Sequence, residues 1–257
     1  MTANSMGRTV CRWLTVGAAF GLASYASYVG VTWLRYGKQK RRADRAADDA
    51  LLDRFMPAYE VADRHAVHVA APAETTFSAA IDCDFADSAI VSAIFRGREA
   101  ILGSDAATRV APRGLLAQVT ALGWSVLAEV PGREIVCGAV TRPWEANVVF
   151  RSIPPEEFAS FNEPDYAKIV WTLRADPINA ISSIVRTETR VVTTDASARA
   201  KFRRYWSFLS PGILLIRRVM LRLAKSEAER RFRAGPISTA DAHPWEAATP
   251  EIVHQRP

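Results

Sequence analysis

The stretch 187–206, TETRVVTTDASARAKFRRYW, decides the fold. Its first half alternates with period two: Val185, Thr187, Thr189 and Val191 share one strand face, and Arg186, Glu188 and Arg190 the other. Asp195 follows, a residue type whose side chain accepts from the free amides at a helix start. Beyond it Phe202, Trp206, Leu209, Ile213, Ile216, Met220 and Leu223 recur at steps of three and four, one apolar stripe. Arg203, Arg204, Arg217, Arg218, Arg222 and Lys225 are expected on the opposite, basic face. Pro211-Gly212 predicts a kink or short interruption. A half-apolar strand feeding a helix with a matching stripe predicts that the helix covers the sheet.

Working back from this stretch, residues 63–70 (DRHAVHVA) alternate as a strand, and Pro72 opens the helix PAETTFSAAI at a position where its missing N–H costs little. Short helices are expected at 87–95 and 112–121, the latter again opened by proline. Strands are expected at 123–130, 134–141, 144–152, 166–175 and 181–194. In 123–130 one face carries Trp124, Val126, Ala128 and Val130; in 166–175 one carries Ala167, Ile169, Trp171, Leu173 and Ala175. Such alternation marks an antiparallel sheet with one apolar side, and the class is α+β.

The 257 residues are 49% hydrophobic and 23% charged, ordinary for a globular chain with a sizeable core. The net charge of +6 is unevenly placed. Residues 1–45 carry eight basic residues and one acid, and 195–233 carry eleven and three, while the body between is acidic. That distribution excludes a nucleic-acid binder working over its whole surface. Cys11, Cys83 and Cys137 are too few and too scattered for a disulfide framework.

Residues 13–34, WLTVGAAFGLASYASYVGVTWL, are 22 uncharged residues with a Trp near each end. About 20 apolar residues cross a bilayer. The expectation is a transmembrane helix in a single-pass protein of a bacterial-type inner or plasma membrane. The basic flank RYGKQKRRADR then places the C-terminal domain in the cytoplasm. The alternative is a signal peptide and secretion, although an h-region usually spans about 7–15 residues. Gly17 and Gly21 form a GxxxG pair, a weak signal for a homodimer. The division expected is an N-terminal segment 1–12, the membrane helix 13–34, a basic helical connector 35–57, a folded domain 58–233 and a disordered tail 234–257.

Three stretches carry a resemblance: HVAAPAETTFSAAIDCDF (68–85), GWSVLAEVPGREIVCGAV (123–140) and TETRVVTTDASARAKFRRYW (187–206). Over about 60–230 the order resembles the helix-grip fold of the START-like (SRPBCC) superfamily, which includes polyketide cyclase/dehydrase-like and lipid-transfer proteins. The resemblance implies a curved antiparallel sheet wrapped around a long C-terminal helix, with a cavity between them for an apolar ligand. It implies no catalytic residue, because the superfamily shares none.

Candidate cavity residues are Trp124, Cys137, Trp144, Phe150, Trp171, Thr187, Thr189, Phe202 and Trp206. If Glu188 and Arg190 face outward, they form a charged ladder with Lys168 and Arg174; if a bulge reverses the register, they become acid/base or anion-binding groups. Arg142 and Glu145 beside Trp144 form either a cavity mouth or a solvated edge. Arg35, Lys38, Lys40, Arg41, Arg42, Arg217, Arg218 and Arg222 are candidates for contact with anionic lipid, against the plainer reading of a solvated face. His65 and His68, three apart on a strand, face opposite sides, and His243 and His254 lie in the tail, so no metal site and no cofactor are expected. No GxSxG, P-loop or GxGxxG motif is present, and Cys137 reads as a small buried residue. Three functions follow: a membrane-tethered binding domain for a hydrophobic small molecule or lipid; a cyclase/dehydrase-type enzyme on a polyketide-like ligand; or a structural protein whose cavity is filled. The absence of inward acid/base groups favours binding.

Overall fold

The computed structural model describes residues 3–37, 49–84, 92–94, 96–97, 103 and 112–235. Its elements in chain order are α1 (Ala3–Arg35), α2 (Ala50–Asp53), β1 (Val61–Val69), α3 (Ala73–Asp82), α4 (Leu115–Ala121), β2 (Ser125–Val130), β3 (Glu134–Thr141), β4 (Phe150–Arg151), α5 (Pro155–Phe158), β5 (Ala167–Asn179), β6 (Ser182–Thr193) and α6 (Ala196–Ala234). The strands form one antiparallel sheet of order β1-β6-β5-β3-β2, with β4 on β3.

The sheet has two covered faces. On the concave face Val69, Val185, Leu173, Ala175, Ile135 and Cys137 pack with Phe77 and Ala80 of α3 and with Leu221, Ala224 and Ala228 of α6. Nearer the start of α6, Phe202 packs on Val61, Val191 and Ala167. Asp195 caps α6 by accepting from Ala198 N at 2.8 Å. On the convex face Val136, Val140 and Val170 meet Leu52, Phe55 and Met56 around α2 and Phe158 of α5. The concave side is therefore gripped by a helix along its length, and only short helices seal the other side. Lys225 Nζ donates to His68 O at 2.7 Å, and Ala70 N donates to Glu229 Oε1 at 3.0 Å, fastening α6 to the end of β1.

A bulge in β2 between Val126 and Ala128 breaks the simple alternation predicted there. It turns Leu127 to the convex core, where Leu127 and Phe158 lie over Gly138 where a Cβ would stand. Gly138 is the residue that this approach permits. The predicted strand 144–152 shrinks to Phe150–Arg151, because Pro143 and the turns after it hold the chain away from β3. Helix α4 starts at Leu115 rather than at the proline, after Gly114 with φ 84°. Helix α6 passes through Pro211 as one element instead of being interrupted. Proline removes the hydrogen bond to Ser207 O, and next to that gap Tyr25 of α1 donates its hydroxyl to Phe208 O at 2.6 Å.

Helix α1 contains the segment 13–34 that was expected to cross a membrane. Among the described residues no helix is long and apolar enough to cross a membrane. Its middle, ASYASY (23–28), carries serines and tyrosines. Those tyrosines have partners inside the protein: Tyr25 on Phe208 O, and Tyr28 on the Ser210 hydroxyl at 2.8 Å. Arg203 donates to Trp33 O at 2.7 Å and stacks on the Trp33 ring at 4.3 Å. Tyr36 closes the contact with a 2.6 Å bond to Glu60 and a ring contact with Phe202. The second half of α1 is thus docked along α6. Gly17 and Gly21 have nothing within 4 Å of a Cβ position, so nothing among the described residues packs on them. Lys38, Lys40, Arg41, Arg42, most of the connector, most of 87–95 and the tail beyond Gly235 lie outside the described residues.

Candidate functional site

One transverse row of the concave face organises the site. Strand pairing aligns Asp63 (β1), Thr189 (β6), Trp171 (β5), Cys137 (β3) and Val126 (β2) in register. The row is polar at the β1–β6 side and apolar beyond Trp171. In the next row His65 pairs with Thr187, which pairs with Leu173. Alternation explains the placement: Asp63 and His65 share the parity of Val67 and Val69, and Thr187 and Thr189 that of Val185 and Val191.

The polar half is a cluster between sheet and helix. His65 Nε2 and Asp63 Oδ2 are 3.1 Å apart. Arg217 of α6 comes down from the helix, placing its Nε 3.4 Å from the same carboxylate oxygen. Burial pulls the Arg217 guanidinium below its usual pKa, and the Asp63 charge opposes that. The Thr189 hydroxyl is buried without a partner, and Arg217 Nε meets Asp63 as an ion pair without an aligned hydrogen bond. Thr189 is only 6% exposed. Buried polar groups in native proteins are nearly always paired, so the orphaned Thr189 hydroxyl, on the cross-strand neighbour of Asp63, marks an incomplete site. The apolar half contains Trp171, whose ring lies 6.4 Å from that of Trp124. Burial pushes the Cys137 thiol up to about 12, which makes it inert wall.

Sequence reasoning missed Asp63, His65 and Arg217. The signal for the first two was present in their parity with Val67 and Val69. Arg217 was assigned to the basic, lipid-facing side, and the structure corrects this. It is four residues after Ile213 and three before Met220, so the stripe runs through it as well as through Ile216. Arg35, Arg218 and Arg222 are exposed.

Glu188 and Arg190 lie on the convex face, with the register that points Thr187 and Thr189 inward. Their partners differ from the predicted Lys168 and Arg174. Arg64 forks onto Glu188 at 2.7 and 2.8 Å, and Arg190 reaches Glu188 at 2.7 Å, Asp53 at 2.5 Å and Met56 O at 2.8 Å. Residues 49–56 cover this network, leaving Arg190 only 2% exposed, so it is a buried structural ion cluster rather than a wet ladder. Beside it Glu134 is pushed up to about 7 by burial and then by the Asp49 carboxyl.

The remaining candidates sit elsewhere. Phe150, on the edge strand, meets Trp124 with ring centres 5.1 Å apart and the rings tilted by 34°. Arg142 lies over the Tyr166 ring at 4.5 Å and pairs with Glu145 at 3.6 Å, on the surface. Phe202 and Trp206 stack at 6.0 Å at the N-terminal end of the grip. Trp144 packs against the Phe202 cluster at the N-terminal end of the grip. It lines a separate cavity of about 540 Å³ between α1 and α6, together with Tyr25, Lys201, Arg204, Tyr205 and Phe208. Among the described residues no group of three His, Cys, Asp or Glu could hold a metal ion.

The element order, the antiparallel sheet and the long gripping helix form a helix-grip arrangement. No family model matches the chain, and no curated protein does. Solved structures that match include the Zhui aromatase/cyclase from a Streptomyces species, at 17% identity and TM-score 0.28, covering 68% of this chain and 98% of that one. Norcoclaurine synthase from Thalictrum flavum matches at 12% identity and TM-score 0.29, covering 66% and 88%. A START superfamily protein from Mycobacterium smegmatis matches at 13% identity and TM-score 0.20, covering 62% and 98%. At these scores the likenesses carry no argument about ligand or chemistry, which have to be read from the site.

Proposed function

We propose that this protein binds an amphiphilic small molecule between the concave face of its sheet and α6. The apolar part of the ligand lies along Trp171, Trp124, Cys137 and Val126. Its polar end completes the cluster of Asp63, His65, Thr189 and Arg217. The observation that carries this reading is the buried Thr189 hydroxyl, which has no partner, beside the Asp63–Arg217 ion pair held between sheet and helix. A core built only for structure would have an apolar or paired group there. Native mass spectrometry of the full chain is the test. One co-purifying amphiphile per chain, with reduced loading in the Thr189→Val, Arg217→Met double variant, is expected. An empty protein that also takes up no added amphiphile favours a filled, structural interior.

We further propose attachment to a membrane surface through the first half of α1. Trp13 is 72% and Phe20 76% exposed, and Val16 and Leu22 are also open, a run that a lipid interface would cover. Arg35, Arg218 and Arg222 are exposed cations that can meet anionic headgroups. Sedimentation of the full chain with vesicles tests this. Phe20→Glu is expected to release the protein, and equal binding by that variant rejects the reading.

One observation favours an enzymatic reading as the second choice. The Asp63–His65 pair is a carboxylate–imidazole couple at hydrogen-bond distance, placed at the polar end of the proposed ligand position as a general acid–base would be. Turnover of a poly-β-keto thioester that is lost in His65→Gln while ligand is still bound supports it. Binding without turnover retires it.

A further inference from the structure

We propose that the cavity between α1 and α6 is a second binding site, outside the helix grip, for a single-chain anionic amphiphile of the fatty-carboxylate class. Its volume, about 540 Å³, falls within the range of small-molecule sites. Its walls are aromatic: Tyr25 from α1, Tyr205 and Phe208 from α6, and Trp144 from the loop after β3. The Tyr25 hydroxyl is taken by Phe208 O, so the ring is left to offer an apolar surface.

The charge on the rim selects the ligand. Two cations, Lys201 and Arg204, line the cavity, and no carboxylate does. Lys201 is already engaged, bonded to Asp165 at 2.6 Å with its ammonium 5.8 Å from the Trp144 ring centre. Arg204 has no acid partner among the described residues. A guanidinium presents a planar fork that matches a carboxylate in two parallel hydrogen bonds. The head of the ligand is thus expected on Arg204, and its chain between Tyr25, Phe208 and Trp144. A cationic head would meet like charge, and a neutral one would leave the fork unused.

Because Tyr25 forms one wall, the ligand bridges α1 and α6. This site shares no residue with the cluster of Asp63, His65, Thr189 and Arg217, so the two readings can fail separately.

Calorimetric titration of the full chain with laurate, dodecanol and dodecyltrimethylammonium is the test. Laurate is expected to bind, the cation not to bind, and dodecanol to bind more weakly than laurate. Arg204→Ala, an exposed position that leaves the fold intact, is expected to weaken laurate about tenfold or more and to leave dodecanol unchanged. Leu209→Trp, which fills the cavity, is expected to abolish both. The Thr189→Val, Arg217→Met variant is expected to bind laurate as the parent does. Unchanged laurate affinity in Arg204→Ala overturns the proposal. So does laurate binding that vanishes in the Thr189→Val, Arg217→Met variant, which would assign the ligand to the grip instead.

Discussion

At the scale of single residues, the concave cluster trades stability for occupancy. Thr189 has a buried hydroxyl without a partner. Replacing it by the isosteric valine is expected to stabilise the empty protein by about 1 kcal/mol, read as a raised Tm, while ligand loading falls. A purely structural threonine would move only the first quantity. Glu134 behaves differently. Its folded carboxyl is pushed up to about 7 from an ordinary value of 4.5, so folding favours the protonated form. Between those two values the folded state holds a proton that the unfolded state has lost, and stability falls as pH rises through that window. Glu134→Gln removes the effect. Its Tm is expected to exceed the parent's at pH 8, by a margin worth about 3 kcal/mol at most, and to converge with it near pH 4.5. A constant offset across that range would refute the assignment.

At the scale of elements, the convex ion cluster and the packing over Gly138 are expected to dominate. Glu188→Gln leaves Arg190 and Arg64 sharing a neutral partner under residues 49–56. A loss of about 3–5 kcal/mol in denaturant unfolding is expected, against less than about 1 kcal/mol for a surface ladder. The sequence made β3, β5, β6 and α6 legible, because each has a long periodic run ended by a turn or cap. It did not make β2 legible in detail, because a bulge changes facing without changing composition. It did not reveal that residues 49–56 bury Glu188 and Arg190, because a strand's parity says which face a residue is on and nothing about what covers that face. The 13–34 segment, expected to span a membrane, shows the same limit of composition. An uncharged helix that docks along a partner and one that enters lipid have nearly the same composition, and the structure adds that Tyr25 and Tyr28 bond to α6.

At the scale of the whole molecule, α1 ties the exposed apolar surface to the helix that closes the grip. Tyr25→Phe together with Tyr28→Phe removes two bonds to α6 and leaves the rings in place. Amide exchange across 20–35 is expected to accelerate about tenfold while exchange in β5 and β6 stays unchanged. Faster exchange throughout the sheet would mean that α1 is integral to the core. The site was only half legible at this scale. Trp171, Thr187 and Thr189 follow from strand parity, whereas Arg217 required knowing how α6 is rotated over the sheet, which its two overlapping apolar series left open.

The fastening of α6 to β1 bears on how the chain behaves at high concentration. β1 ends one side of the sheet, and an unpaired strand border is a template on which a second molecule can add a strand. Lys225 occupies the carbonyl of His68 and Glu229 the amide of Ala70, so part of that template is already used by charged side chains. The terminal helix thereby also guards against fibril-like self-association. Lys225→Ala with Glu229→Ala is expected to shorten the lag of thioflavin-positive aggregation at unchanged ligand loading.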